Sequence, residues 1–150
     1  MFKVKEKYNI AIIGATGIVG ESLLNILYSR KFPVDKIVAI ASSRSAGSKV
    51  KYGDTLIEVV AIDNYGFENI DIAFFSAGSG VSKEYAPIAT QKGVVVIDNT
   101  SEFRYEHDVP LIIPEINAAL LADDLPRNII ANPNCSTIQM VLPLNKYFQS

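Results

Sequence analysis

Two stretches carry residue types that could do chemistry together: a lone cysteine beside a helix start and a glycine-rich turn beside another. Cys135 stands in Asn132-Pro133-Asn134-Cys135-Ser136-Thr137, after the short apolar stretch Asn128–Ala131. Beyond it Ile138, Val141, Leu142 and Phe148 recur at helical spacing. The pattern predicts a strand, a turn and a helix, with the thiol at or just before the helix N-terminus. The helix dipole there favours a thiolate, the form that attacks a carbonyl carbon. Pro133 fixes the entry, Ser136 or Thr137 offers a cap, and Pro143 predicts a kink or an end near Leu142. A lone cysteine is otherwise most often a small core residue. Polar neighbours at a strand end favour a nucleophile.

The second stretch is Tyr8–Gly20, YNIAIIGATGIVG. The apolar run Ile10–Ile13 ends in Gly14, Gly17 and Gly20, and Val19, Leu23, Leu24, Ile26 and Leu27 follow at helical spacing to about Ser29. This predicts a strand, a tight turn and a helix whose free N–H groups face a phosphate. The competing reading is an ordinary tight turn in an α/β core.

These groups must be positioned by alternating strands and helices. Lys31-Phe32-Pro33 ends the first helix, and Ile37–Ala41, Asp71–Phe75 and Val94–Ile97 read as further buried strands. Ser82–Gln91 reads as a helix stopped at Lys92-Gly93, and Ala118–Ala122 as a short helical piece. Val50–Ile62, with a Gly53-Asp54 turn, reads as a hairpin or an irregular excursion from the main sheet. Strands end in polar or small residues: Ser42-Ser43-Arg44-Ser45-Ala46-Gly47, Ser76-Ala77-Gly78-Ser79-Gly80 and Asp98-Asn99-Thr100-Ser101-Glu102-Phe103-Arg104. All three read as ligand-ready loops. The fold class that follows is α/β: a Rossmann-like, doubly wound, mostly parallel sheet with helices on both faces.

In such a fold the end of the second strand reads the adenine ribose. A carboxylate there selects NAD, whereas an arginine accommodates the 2′-phosphate of NADP. Here the carboxylate is missing and Arg44 stands among serines, which favours NADP; a solvated arginine in a polar loop is the alternative.

Composition narrows the classes. A net charge of −2 without a long basic run gives no reason to expect nucleic acid or an acidic membrane. One cysteine excludes an internal disulfide or a multi-cysteine zinc site, no metal site is expected, and the usage fits a cytoplasmic location. Lys3, Lys5 and Lys7 before an apolar run imitate a secretion signal, but glycines and Thr16 interrupt it and no cleavage site follows. His107, in Tyr105-Glu106-His107-Asp108, reads as a surface residue.

Taken in order, Gly14-Ala15-Thr16-Gly17-Ile18-Val19-Gly20, Ser42–Gly47, Phe75–Gly78, Asp98–Ser101 with Arg104, Pro114-Glu115-Ile116-Asn117 and Asn134-Cys135-Ser136-Thr137 resemble the aspartate-semialdehyde dehydrogenase family. The resemblance implies NADPH-dependent reductive dephosphorylation of β-aspartyl phosphate to aspartate β-semialdehyde, a step feeding lysine, threonine, methionine and diaminopimelate synthesis. By the same resemblance Cys135 is the nucleophile that forms a thioester, and Arg104 binds the substrate phosphate. Gly14 and Thr16, Gly17, Ile18 and Val19 line the cofactor pyrophosphate. Ser42, Arg44 and Ser45 face the 2′-phosphate, and Ser76, Ala77 and Gly78 lie near the nicotinamide-side ribose.

Members of that family continue into a substrate and dimerisation domain that supplies an acid/base histidine and an arginine for the substrate carboxylate. Residues 1–134 are therefore expected to form the NADP-binding domain and 135–150 the nucleophile helix leading onward. Residues 1–150 alone are expected to bind cofactor without turnover, and the complete protein to be a homodimer or a dimer of dimers. N-acetyl-γ-glutamyl-phosphate reductase is the nearest rival, but its Gly-Cys-Tyr-Pro-Thr motif does not match Asn134-Cys135-Ser136-Thr137. Short-chain reductases need Tyr-x-x-x-Lys, which no tyrosine here satisfies. A non-catalytic NADPH-binding module is the remaining alternative.

Overall fold

The computed structural model describes residues 4–63, 65–121 and 125–149. Seven strands alternate with helices: β1 (Tyr8–Ile13), α1 (Ile18–Ser29), β2 (Val34–Ala41), β3 (Lys49–Tyr52), β4 (Thr55–Ala61), β5 (Ile72–Phe75), α2 (Ser79–Gln91), β6 (Val95–Asp98), α3 (Pro114–Asn117), β7 (Ile129–Ala131) and α4 (Cys135–Gln149). A single sheet has the order β3-β4-β2-β1-β5-β6-β7. All its pairings are parallel except that of β3 with β4.

Period-two alternation along β1 divides the core. Ile10 and Ile12 pack with Leu24 and Leu27 of α1 on one face, and Ala11 and Ile13 pack with Ala86 and Ala89 of α2 on the other. The two helices thus cover opposite faces of the sheet. From β1 the chain winds outward through β2 to β4, then returns to β5 on the other side of β1 and winds to β7. The order reverses between β1 and β5, and the crevice at the carboxyl ends of those strands is where such sheets take ligands.

Helix ends follow local chemistry. Lys31 takes φ 51°, so that its N–H donates to Tyr28 O (3.0 Å) and that of Phe32 to Leu27 O (3.0 Å). The Lys31-Phe32-Pro33 break is therefore a closed helix end, with the Phe32 ring 5.9 Å from that of Tyr8.

Three expectations need correction here. Val50–Ile62 is a hairpin but not an excursion: β4 adds to the main sheet in parallel register with β2, Ala39 facing Val59 and Ala41 facing Ala61. Its alternate residues Val50, Ile57 and Val59 complete the α1 side of the core. The second helix begins at Ser79, not Ser82, which puts Gly80 in its first turn. The last helix does not end near Leu142: α4 runs on through Pro143, which lies inside it as the pattern placed it. The piece after α3 is a 3-10 turn over Ala118–Leu121; Ala122 lies outside the described residues.

Candidate functional site

The loops after β1, β2, β5, β6 and β7 all leave the same edge of the sheet, and every candidate site residue lies in them or in the first turn of the helix that follows. Ile40 O accepts from the N–H groups of both Gly14 (2.9 Å) and Ala15 (3.1 Å), which fixes the first loop against β2. Ser76 spans the reversal point: its N–H and its hydroxyl both donate to Ile13 O at 2.9 Å. The loops after β1 and β5 are thereby latched across the crevice.

The three glycines of the first loop are not equivalent. Gly14 has φ +87°, and a Cβ on it would lie 3.0 Å from Ser76. A Cβ on Gly20 would lie 2.2 Å from Gly14 O, so α1 could not pack this closely on the turn with any side chain there. Gly17, in contrast, is exposed and a Cβ would meet only Gly14 O at 3.4 Å, an ordinary contact. Folding of the chain leaves Gly17 room for a side chain; close approach of a ligand to the backbone would not.

Thr16, Ile18 and Val19 are exposed, Ile18 at 87%. No side chain caps α1 at Gly17 or α2 at Gly78, so both helices open onto the crevice with first-turn N–H groups that no cap occupies. Ala77 and Gly78 are exposed and Ser76 is half-buried beside them. After β2, Ser43–Ser45 forms a single 3-10 turn, held by Ser45 N–H to Ser42 O at 2.9 Å. It leaves Ser42 and Arg44 exposed and Ser45 half-buried, and Arg44 makes no ion pair among the described residues. Free N–H groups, a glycine with open space and an unpaired guanidinium fit a dinucleotide rich in phosphate.

The loop after β6 differs from its sequence expectation. Asp98 is not part of a ligand-ready end; its carboxylate is fully buried. It accepts from Ser82 Oγ (2.7 Å) and Thr100 N–H (3.3 Å) on one oxygen and from Thr100 Oγ1 (2.8 Å) on the other. These bonds tie α2 to the start of the loop, and Ser79 and Ser101 hydroxyls meet at 3.1 Å further out. Arg104, half-buried, turns back: Nε donates to Asn132 O (3.0 Å) and Nη2 to Asn99 O (3.2 Å).

Asn132 lies three residues before Cys135, so the arginine and the cysteine backbone are within roughly 11 Å of chain. Cys135 opens α4 and is exposed. The cap is neither Ser136 nor Thr137: Asn134 Oδ1 accepts from Ser136 N–H (2.9 Å), and Asn134 O from Ile138 N–H (3.0 Å). An asparagine just before the first helical residue is the better-placed acceptor, because Ser136 already lies inside the helix. Ile138, Val141 and Leu142 are half-buried rather than buried; the side chain of Phe148 lies outside the described residues.

Residue types alone gave no sign of Asn99 and Asn132, which carry Arg104, and only the paired asparagines around Pro133 could have hinted at them. Arg127 also escaped notice. It lies 5.1 Å over the buried Phe103 ring, next to Arg104 in sequence, and pairs with Glu106 (3.5 Å) and Asp108 (3.3 Å). His107 is exposed, as expected. A depression of about 210 Å³ between Pro87, Gln91, Arg127 and Ile129 lies at the opposite edge of the sheet and holds none of the candidate residues.

The family described as "Semialdehyde dehydrogenase, NAD binding domain" matches residues 9–123. Over 147 residues the chain is 48% identical to the aspartate-semialdehyde dehydrogenase of Shewanella violacea, covering 98% of this chain and 44% of that protein. The crystal structure of aspartate semialdehyde dehydrogenase II from Vibrio cholerae, complexed with ASA, superposes with a TM-score of 0.91 at 47% identity. That superposition covers 96% of this chain and 47% of the other. An aspartate semialdehyde dehydrogenase from Candida albicans with NADP has a TM-score of 0.68 at 27% identity, over 92% of this chain and 46% of its own. The chain thus spans about half the length of the relatives it matches.

Proposed function

The chain belongs to the semialdehyde dehydrogenase family through its NAD-binding domain, and on that premise we propose that it is the cofactor-binding and nucleophile-bearing part of an NADP-dependent aspartate-semialdehyde dehydrogenase. In this reading residues 1–134 hold the cofactor, and 135–150 begin the connection to a substrate and dimerisation domain. The activity belongs to amino-acid biosynthesis in the cytoplasm, in a protein that works as a homodimer or a dimer of dimers.

The observation that carries the reading is the bond from Arg104 to the carbonyl of Asn132, three residues before Cys135. It ties an oxyanion binder to the loop of a nucleophile on one sheet edge. In the biosynthetic direction the Cys135 sulfur bonds to the acyl carbon of β-aspartyl phosphate, the carbon–oxygen bond to phosphate breaks, and Arg104 receives the departing phosphate. When bound, NADPH would supply the hydride for reduction of the resulting thioester. Collapse of the reduced adduct then breaks the carbon–sulfur bond, releases the aldehyde and restores the thiolate. Ser42, Arg44 and Ser45 meet the 2′-phosphate, Thr16 to Val19 the pyrophosphate, and Ser76 to Gly78 the nicotinamide-side ribose.

The test follows NADPH formation from aspartate semialdehyde and phosphate by the complete natural polypeptide that carries this domain. Cys135→Ala should reduce phosphate-dependent turnover by more than about 10³-fold while NADPH binding persists. Turnover that survives the substitution, or that prefers N-acetylglutamate semialdehyde, defeats the assignment. Residues 1–150 alone should bind NADPH and not turn over.

A further inference from the structure

Arg104 approaches the loop of Cys135 by way of a second residue rather than directly. Two of its three nitrogens are committed to carbonyls: Nε to Asn132 O at 3.0 Å and Nη2 to Asn99 O at 3.2 Å. Those carbonyls belong to residues that are themselves joined, Asn132 Nδ2 donating to Asn99 Oδ1 at 2.6 Å. Each is also fixed to the sheet. Asn132 N–H donates to Asp98 O (2.8 Å), and Asn99 N–H to Phe75 O (2.9 Å).

We propose that Asn132 is a positioning residue: its side chain, bridged to Asn99, sets the plane of the Arg104 guanidinium so that the Nη1–Nη2 fork is presented to an oxyanion beside Cys135. A planar guanidinium gives bidentate bonds only when its plane is fixed, and five donors on a flexible stem do not fix themselves. Two carbonyl acceptors, held at one spacing by the amide bridge, supply that constraint. Nη1 makes no hydrogen bond among the described residues, and one N–H of Nη2 stays uncommitted. The end-on fork therefore remains for a ligand. Because Asn132 also begins the turn into α4, a shift of the cysteine loop and a shift of the fork are one movement.

The functional side of this inference rests on the proposed phosphate-dependent reaction, so its test has an arm that does not. Asn132→Ala removes the amide and keeps the backbone carbonyl. On residues 1–150, ¹⁵N relaxation of arginine side chains should show the Arg104 Nε–H ordered in the parent and mobile in Asn132→Ala, with Arg127 unchanged. Equal order of Arg104 in both proteins overturns the proposal, whatever the enzyme does.

In the complete polypeptide, Asn132→Ala should raise KM for phosphate roughly tenfold and leave KM for NADP alone. In an Arg104→Ala background it should add nothing further to that effect. A uniform loss across kcat and every KM, or full additivity with Arg104→Ala, reduces Asn132 to a structural part and overturns the proposal. If the parent shows no phosphate-dependent turnover while Arg104 still loosens, the positioning stands and the enzymatic reading falls.

Discussion

The two halves of the carboxyl edge are built in different ways. Around β1, β2 and β5 the candidate groups are mostly backbone: a glycine turn, two helix starts without side-chain caps and a latch from Ser76 to Ile13 O. Around β6 and β7 the candidate group is a side chain, Arg104, held by the backbone carbonyls of Asn99 and Asn132, whose own side chains are bridged, and the loop itself is held by the buried Asp98. The difference teaches where substitution is tolerated. A backbone site fails when a Cβ intrudes, whereas a side-chain site fails when a supporting partner is removed.

The sharpest break comes from Gly20→Ala against Gly17→Ala. At Gly20 the new methyl would lie 2.2 Å from Gly14 O, so α1 must move and the fold should lose about 3 kcal/mol with cofactor binding. Gly17→Ala should change thermal stability little and still weaken NADPH, because its cost falls on the ligand. If both unfold the chain alike, the distinction between a packing glycine and a ligand glycine is lost.

Next in size is Arg44→Ala, expected to weaken NADP roughly 10- to 100-fold and NAD hardly at all, as read by titration calorimetry. Equal weakening of both would remove the 2′-phosphate assignment. On the other half, Ser82→Ala withdraws the 2.7 Å donor from Asp98 and should cost about 1–3 kcal/mol in chemical denaturation. It should also loosen α2 relative to the loop that carries Arg104.

The smallest effect lies away from both halves. The Glu68 carboxyl is held below the ordinary range by its own backbone N–H and then by Lys92 at 3.2 Å. A lowered folded value means that the contribution is present at neutral pH and disappears as pH falls through that value. Glu68→Gln should therefore narrow the Tm difference between neutral and acidic solution slightly, and leave the cofactor half untouched.

Legibility in the sequence follows the same division. The turn Gly14–Gly20, the arginine after β2 and the strand-to-helix setting of Cys135 all arise from residues adjacent in the chain, so periodicity and residue type reveal them. The cradle of Arg104 arises from partners 28 and 5 residues away, bridged across 33. No local pattern encodes such distances. The same reason hid the placement of β4: the Gly53-Asp54 turn announces its antiparallel partner, while the parallel bond to β2 depends on a surface distant in sequence. Asp98 was misread because an acidic residue at a strand end looks like a ligand group until its burial and the three hydrogen bonds it accepts are seen.

The reversal of strand order beside β1 also bears on how the chain assembles. The β3–β4 hairpin joins residues only a few positions apart and can zip in microseconds. Pairing Ile10 with Ile72 instead requires about 60 residues of chain to come together first. In a folding reaction the winding from β1 to β4 can therefore precede the arrival of β5. The crevice would then be among the last features to form, and a nucleotide could capture the chain only once the slowest loop had closed.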